Sequence, residues 1–222
     1  MRTPVNGRTL RQHFTYNWWK YLLVIACGIF LVDLLFTVTA PRTPEDKKVE
    51  FYVYGYADMD RVSAYMEKVR EQEMPGMQEM IANQILPDNS YGPMQLITYL
   101  AAGEGDLYLL PREEFLSVSS DGAFVALEDD QELMDFFTAR GLDLRRGWRT
   151  DSNGETHLVG IPESFLPGLA AYCQAGDGDG FLCIPPNGGN IENTLTFLHI
   201  LCRDMITAPE PAPETEKTES SD

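Results

Sequence analysis

Few side chains in this sequence of 222 residues combine the type and the spacing that chemistry needs. Of its three histidines, His157 and His199 lie beyond the N-terminal apolar run, and neither stands at a metal-ligand spacing. His199 falls within an apolar helical stretch and reads as structural. No metal site and no cofactor is expected. Ser164 is not part of a G-x-S-x-G pattern, and spacing singles out no two carboxylates as an acid–base pair. No catalytic residue is nominated, so the chain is not expected to be an enzyme. Met74, Met77 and Met80 form an M-x-x-M-x-x-M run whose thioethers suit Cu(I), although methionine at this spacing more often fills a core. Asp177-Gly178-Asp179-Gly180 starts like a calcium loop, but Gly188 stands where the closing acid belongs. Gly103-x-Gly105 precedes a strand, and Tyr108 stands where a dinucleotide fingerprint needs glycine, so the pair reads as a helix stop. Cys173 and Cys183 bracket the Gly-rich turn. In an oxidising exterior they are a candidate disulfide worth ~2–3 kcal/mol, with two free thiols as the alternative. Cys202 shares an apolar face with Leu195, Leu198 and Leu201 and reads as a buried thiol.

The charge is unevenly placed. Lys plus Arg number 17 against 34 for Asp plus Glu, a net charge of −17, which argues against nucleic acid as a partner. Residues 1–20 form a basic head with Arg2, Arg8, Arg11 and Lys20 and no acid. Asp33 is the one acid within 21–40, which leaves 13 basic against 33 acidic residues from 41 onward. Tyr21–Ala40 reads YLLVIACGIFLVDLLFTVTA. As a helix it is roughly 30 Å long, the thickness of a bilayer core. Trp18, Trp19 and Tyr21 stand at its leading edge, where amphipathic rings favour the interface. A single transmembrane helix is expected, with a cytoplasmic N-terminus and an extracytoplasmic body. Cleavage after Ala40, a lipobox ending at Cys27, and a buried core helix remain as alternatives. An acid near the bilayer middle costs ~2.5–3.5 kcal/mol. Asp33 is therefore a candidate contact with a partner helix, the alternative being a protonated or water-reached side chain.

Residues 41–48 read as a polar linker, and 207–222, rich in Pro, Glu, Thr and Ser, as a disordered acidic tail. The body, 49–206, alternates strands and helices. Strands are expected at Val49–Tyr56, Asp106–Pro111, His157–Ile161 and Phe181–Ile184, with an extended piece at Ala123–Leu127. Helices are expected from a cap at Asp58 through Val69, and over Tyr91–Ala102, Arg112–Ser119, Gln131–Ala139 and Ile191–Met205, with a helical turn at Leu166–Cys173. Breaks fall at Pro75-Gly76 and at Pro87-Asp88-Asn89. This order predicts an α/β fold with a mostly parallel sheet.

Several stretches carry a resemblance. Phe51 to Tyr56 opens the body, and Gln95 to Leu110 reads QLITYLAAGEGDLYLL. Gly122 to Asp129 (GAFVALED) and Leu158-Val159-Gly160-Ile161-Pro162 follow, then Phe181 to Ile184 leading through Asn187 and Glu192 to Leu201. In this order they resemble the extracellular solute-binding proteins of bacterial ABC importers. The resemblance implies a periplasmic-binding-protein-like fold. Such proteins have two lobes, yet only about 20 residues separate Pro162 from the Phe181 strand. A single lobe is therefore implied, one that cannot enclose a ligand by hinge closure.

Open parallel sheets take ligands beyond the carboxyl ends of their strands. The residues there are Tyr54, Tyr56 and Asp58, then Arg112, then Glu163 and Ser164. They are the candidate ligand-binding residues, able to stack on and hydrogen-bond a sugar or peptide; ordinary loop residues capping helices are the plainer alternative. Together these observations lead to the expectation of a membrane-anchored, non-catalytic binding or accessory module. Its expected partners are a small solute, a membrane protein or an ABC transporter component. The alternative is a structural interaction protein that docks a membrane partner through its transmembrane helix.

Overall fold

The computed structural model describes residues 7–39, 43–87, 91–119, 122–176, 178–186 and 189–207. The tail beyond Thr207, the turn residues 88–90, residues 120 and 121, and Asp177, Asn187 and Gly188 fall outside this set, as do the first six residues, Ala40 and the first two linker residues. The chain divides after Arg42 into two units. The first holds one helix, α1 (Gly7–Thr39). Its segment Trp18–Thr37 is long and apolar enough to cross a membrane, and none of it is buried. The Thr37 hydroxyl donates to the Asp33 carbonyl one turn back, at 2.8 Å.

The second unit is built on a five-stranded sheet in the order β3-β1-β4-β9-β7. Its strands are β1 (Lys48–Tyr54), β3 (Glu79–Ile85), β4 (Leu107–Pro111), β7 (Ile161–Pro162) and β9 (Gly180–Cys183). Two further strand pairs lie outside it: β2 (Tyr56–Ala57) with β8 (Cys173–Gln174), and β5 (Trp148–Thr150) with β6 (Thr156–Leu158). The helices are α2 (Met59–Gln72), α3 (Tyr91–Ala102), α4 (Arg112–Val118), α5 (Gln131–Thr138) and α6 (Ile191–Met205).

The α/β expectation holds, but the sheet is mixed. β1 runs parallel to β3 and β4, whereas β9 is antiparallel to both β4 and β7. A parallel neighbour needs a crossover that returns the chain to the opposite edge. Between Pro162 and Gly180 the chain makes only short 3₁₀ turns (Glu163–Phe165 and Pro167–Ala171) and β8. It re-enters from the edge it left, so β9 is reversed.

Alternation along the strands divides the core between the two faces of the sheet. Val49, Phe51 and Val53 of β1 face one cluster, joined by Leu107, Leu109 and Leu182, by Met66 of α2, Phe137 of α5 and Phe197 of α6. Tyr52 and Tyr54 face the other, with Tyr108, Leu110 and Phe181, Leu96 of α3 and Phe115 of α4. Met74, Met77 and Met80 are buried in the first cluster, where they fill core volume.

Three expectations need correction. The Cys173–Cys183 bond is not made: both are free, buried thiols, and they belong to the two different clusters. The strand expected over His157–Ile161 breaks into β6 and β7. The break lies at Val159-Gly160, where the backbone meets Gly147 so closely that a Cβ on Gly147 would collide with the Gly160 carbonyl. Ala123–Leu127 joins no strand; it is tied by single bonds from Val125 N–H to the Ile184 carbonyl and from Leu127 N–H to the Leu158 carbonyl.

Candidate functional site

The chain leaves β1 for β3 on one side, then crosses to β4 on the other. In an open α/β sheet the carboxyl ends of the strands beside such a reversal, here β1 and β4, are the usual ligand position. The ends of β3 and β7 and the start of β9 share that edge.

What stands at this edge is the chain's own segment 171–180. Tyr56 and Ala57 of β2 pair with Gln174 and Cys173 of β8. Asp58 N–H donates to the Tyr172 carbonyl at 2.8 Å, and Arg61 Nη1 to the Ala171 carbonyl at 3.3 Å. Gly55 lies so close beneath the Gln174 carbonyl that a Cβ there would collide with it. Glu163, 6% exposed, opens the 3₁₀ turn after β7. Its carboxylate accepts from Ala175 N–H at 3.3 Å and from Gly180 N–H at 3.1 Å. Burial pushes its pKa up to about 7 against the pull of those two bonds. Arg112, first residue of α4, pairs with Asp179 at 3.5 Å, and Arg146 pairs with the other oxygen of the same carboxylate. Arg146 first and Arg112 second hold Asp179 below the usual carboxylate range.

The six nominated residues therefore share one edge but do not form one open pocket. Arg112 and Glu163 clamp the far end of segment 171–180, and Tyr56 holds its near end through backbone pairing. Asp58 caps α2 by accepting from Arg61 N–H at 3.2 Å. Tyr54 is buried, and burial followed by Glu114 pushes its phenol to about 12. The Tyr56 ring (67% exposed) and Ser164 remain open to solvent. Arg146 and Asp179 are not legible in the sequence because they lie 33 positions apart and carry no local signature.

No family model and no curated protein matches the chain. Among solved structures, it is similar to an extracellular solute-binding protein family 1 member from Alicyclobacillus acidocaldarius subsp. acidocaldarius DSM 446. That similarity has 20% identity and a TM-score of 0.37, over 52% of this chain. It spans 28% of the length of the other protein.

A second constellation lies on the β5–β6 hairpin, where the sequence nominates no site. His157 Nδ1 lies 2.6 Å from Glu128 Oε1, and Glu128 also accepts from Leu158 N–H at 2.8 Å. Glu128 first, then Glu155 and Asp151, hold the His157 pKa above the ordinary imidazole value. Ligand atoms of Asp151, Glu155 and His157 lie within 4.8 Å of one another, near enough to share a cation. The spacing D-x-x-x-E-x-H is absent from the common metal motifs, so the sequence gives no warning of it. His199 Nε2, in contrast, lies 2.7 Å from Asp130, the residue that caps α5, and ties α6 to it.

Proposed function

We propose that this chain is a membrane-anchored, extracytoplasmic binding or accessory module made of a single α/β lobe, with no catalytic chemistry of its own. The cytoplasmic head, the span of α1 and the acidic body outside it follow from the charge order and the length of the apolar run. The reading rests on the crevice at the β1/β4 reversal, which is fully organised yet filled by segment 171–180. Recognition then falls to the surface around that segment: the Tyr56 ring, Ser164 and the Arg112–Asp179–Arg146 rim. Such a surface is shallow and fits a solute ring or a peptide lying across it. An ABC importer component is the partner class that the sequence resemblance suggests. The test is a thermal-shift panel of sugars, amino acids and short peptides on the full chain in nanodiscs. The expected result is one stabilising class, with its effect reduced in Tyr56→Ala. A flat panel, or an equal shift in the variant, defeats the proposal.

A second reading, an interaction protein that docks a membrane partner, is favoured by two observations. Asp33 interrupts an otherwise apolar span. In the body, α3 carries no charged residue over its 12 positions, and Tyr91, Met94 and Ile97 are exposed on it. Asp33→Leu tests the membrane contact: loss of a co-purifying membrane protein is expected, and unchanged co-purification removes this reading.

A further inference from the structure

Away from the crevice, beyond the C-terminal end of α4, a cavity of about 270 Å³ is walled by Ser119, Phe124, Arg149, Thr150, Asp151 and His157. Arg112 opens α4 and Ser119 follows its end, about 10 Å along the axis. The cavity lies one helix length from the start of α4, although the Arg149 guanidinium on its wall reaches back far enough to feel Arg112.

Its two basic residues are placed against ordinary sheet logic. Arg149 of β5 and His157 of β6 are direct cross-strand partners. Like charges at opposed positions repel. The guanidinium lies over the Phe115 ring at 4.8 Å and near Phe181 at 5.8 Å. Those rings stack on each other at 4.4 Å, and Phe124 stacks on Phe115 at 5.9 Å, so the floor is aromatic and fixed. Arg61, Arg70, Arg112, Arg145, Arg146 and Arg203 each pair with a carboxylate, while the exposed Arg140 lies over the Phe136 ring and donates to the Phe136 carbonyl. Arg149 pairs with none among the described residues, in a chain with twice as many acids as bases. Its Nη1 donates to the Trp148 carbonyl at 2.6 Å, while its Nε is buried without a hydrogen-bond partner. Burial and the neighbouring Arg112 lower its pKa, so the charge is held where it is unfavourable.

The acid on the cavity wall does not answer this charge. Asp151 Oδ1 accepts from Asn153 N–H at 2.9 Å and Glu155 N–H at 2.8 Å, and Oδ2 from Asn153 Nδ2 at 3.2 Å. Its oxygens are taken up by the turn that closes the hairpin. A half-buried, ring-stacked guanidinium with an orphan N–H in a concave site is the arrangement that receives a planar or tetrahedral oxyanion. An unsatisfied buried donor in a native fold calls for such a partner. The Ser119 hydroxyl adds a donor on the wall.

We propose that this cavity is a binding site for a small anion bearing a carboxylate or phosphate group, held by Arg149 and His157 over the Phe115–Phe124 floor. The anion neutralises the Arg149 guanidinium, which no carboxylate answers among the described residues.

The test uses the full chain in phosphatidylcholine nanodiscs with EDTA present and ionic strength fixed with chloride. Phosphate, acetate and succinate are the soluble probes; nanodiscs containing phosphatidic acid supply the same chemistry as a lipid headgroup. At about 100 times its dissociation constant a probe raises the melting temperature by roughly 5–10 °C. The expected result is a saturable rise in the wild type that Arg149→Gln abolishes and Arg149→Lys weakens at least tenfold in affinity. A rise with phosphatidic acid alone assigns the anion to a headgroup; a rise with the soluble probes assigns it to a free solute. Should Arg149→Gln fail to fold, Ser119→Asp at the cavity wall must abolish the same rise. No rise with any probe, or an equal rise in Arg149→Gln or in Ser119→Asp, overturns the proposal.

Discussion

Glu163 and Asp106 are buried acids that hold backbone in place. Asp106 Oδ2 accepts from Glu50 N–H at 2.8 Å, and burial pushes its pKa up to about 6. Glu163 is pushed up to about 7. A carboxyl whose folded pKa is raised favours folding fully below its unfolded value near 4, and that contribution is lost as pH rises through the folded value. Both groups therefore predict a melting temperature that falls between about pH 4 and pH 7. For Glu163 the loss is on the order of 3 kcal/mol. Glu163→Gln should flatten the upper part of the fall, and an unchanged slope in that variant would remove Glu163 as its source. Position alone nominates Glu163, as an acid after a strand. Its purpose is not legible there, because its partners Ala175 and Gly180 lie 12 and 17 positions on, beyond any local pattern. Arg149 is hidden for the same reason: its meaning lies in the carboxylate it lacks, which only the fold reveals.

Long elements with a clear period are readable. α6 spans Ile191–Met205 as its apolar spacing requires, and the Asp58 cap starts α2 where expected. Strands of two or three residues are not readable, since β5, β6 and β7 are too short to show alternation. Contacts across the sheet create them, above all the approach of Gly147 to Gly160. Gly147→Ala should cost about 2–4 kcal/mol by urea denaturation, because backbone stands where the Cβ would go. A loss below about 0.5 kcal/mol would show that β7 and the 3₁₀ turn Leu144–Gly147 separate freely. On α3 the opposite is expected. Met94 is 68% exposed, so Met94→Lys should change stability by no more than about 0.5 kcal/mol. A larger loss would mean that the outer face of α3 is packed in solution.

For the molecule as a whole, charge and hydropathy alone separate a basic head, an apolar run and an acidic body. They leave open whether the apolar run stays attached. Intact-mass measurement on membrane-extracted protein should return a chain that retains residues 1–40; a chain beginning at Pro41 would assign that run to a signal sequence. The net charge of −17 adds a second expectation. Screening relieves self-repulsion, so raising salt from about 10 mM to about 150 mM should raise the melting temperature of the body. No rise would mean that local ion pairs, not the overall field, dominate. Segment 171–180 has a further consequence for any binding assay at the β1/β4 crevice. The chain carries its own competitor there. A tethered segment acts at an effective concentration in the millimolar range, and it cannot be diluted or dialysed away. A solute that needs the crevice itself is therefore weakened by the same factor at every protein concentration, whereas one that lies across the segment is not. Loosening the clamp with Asp179→Asn should strengthen only the first kind of binding, without adding a single contact to the solute.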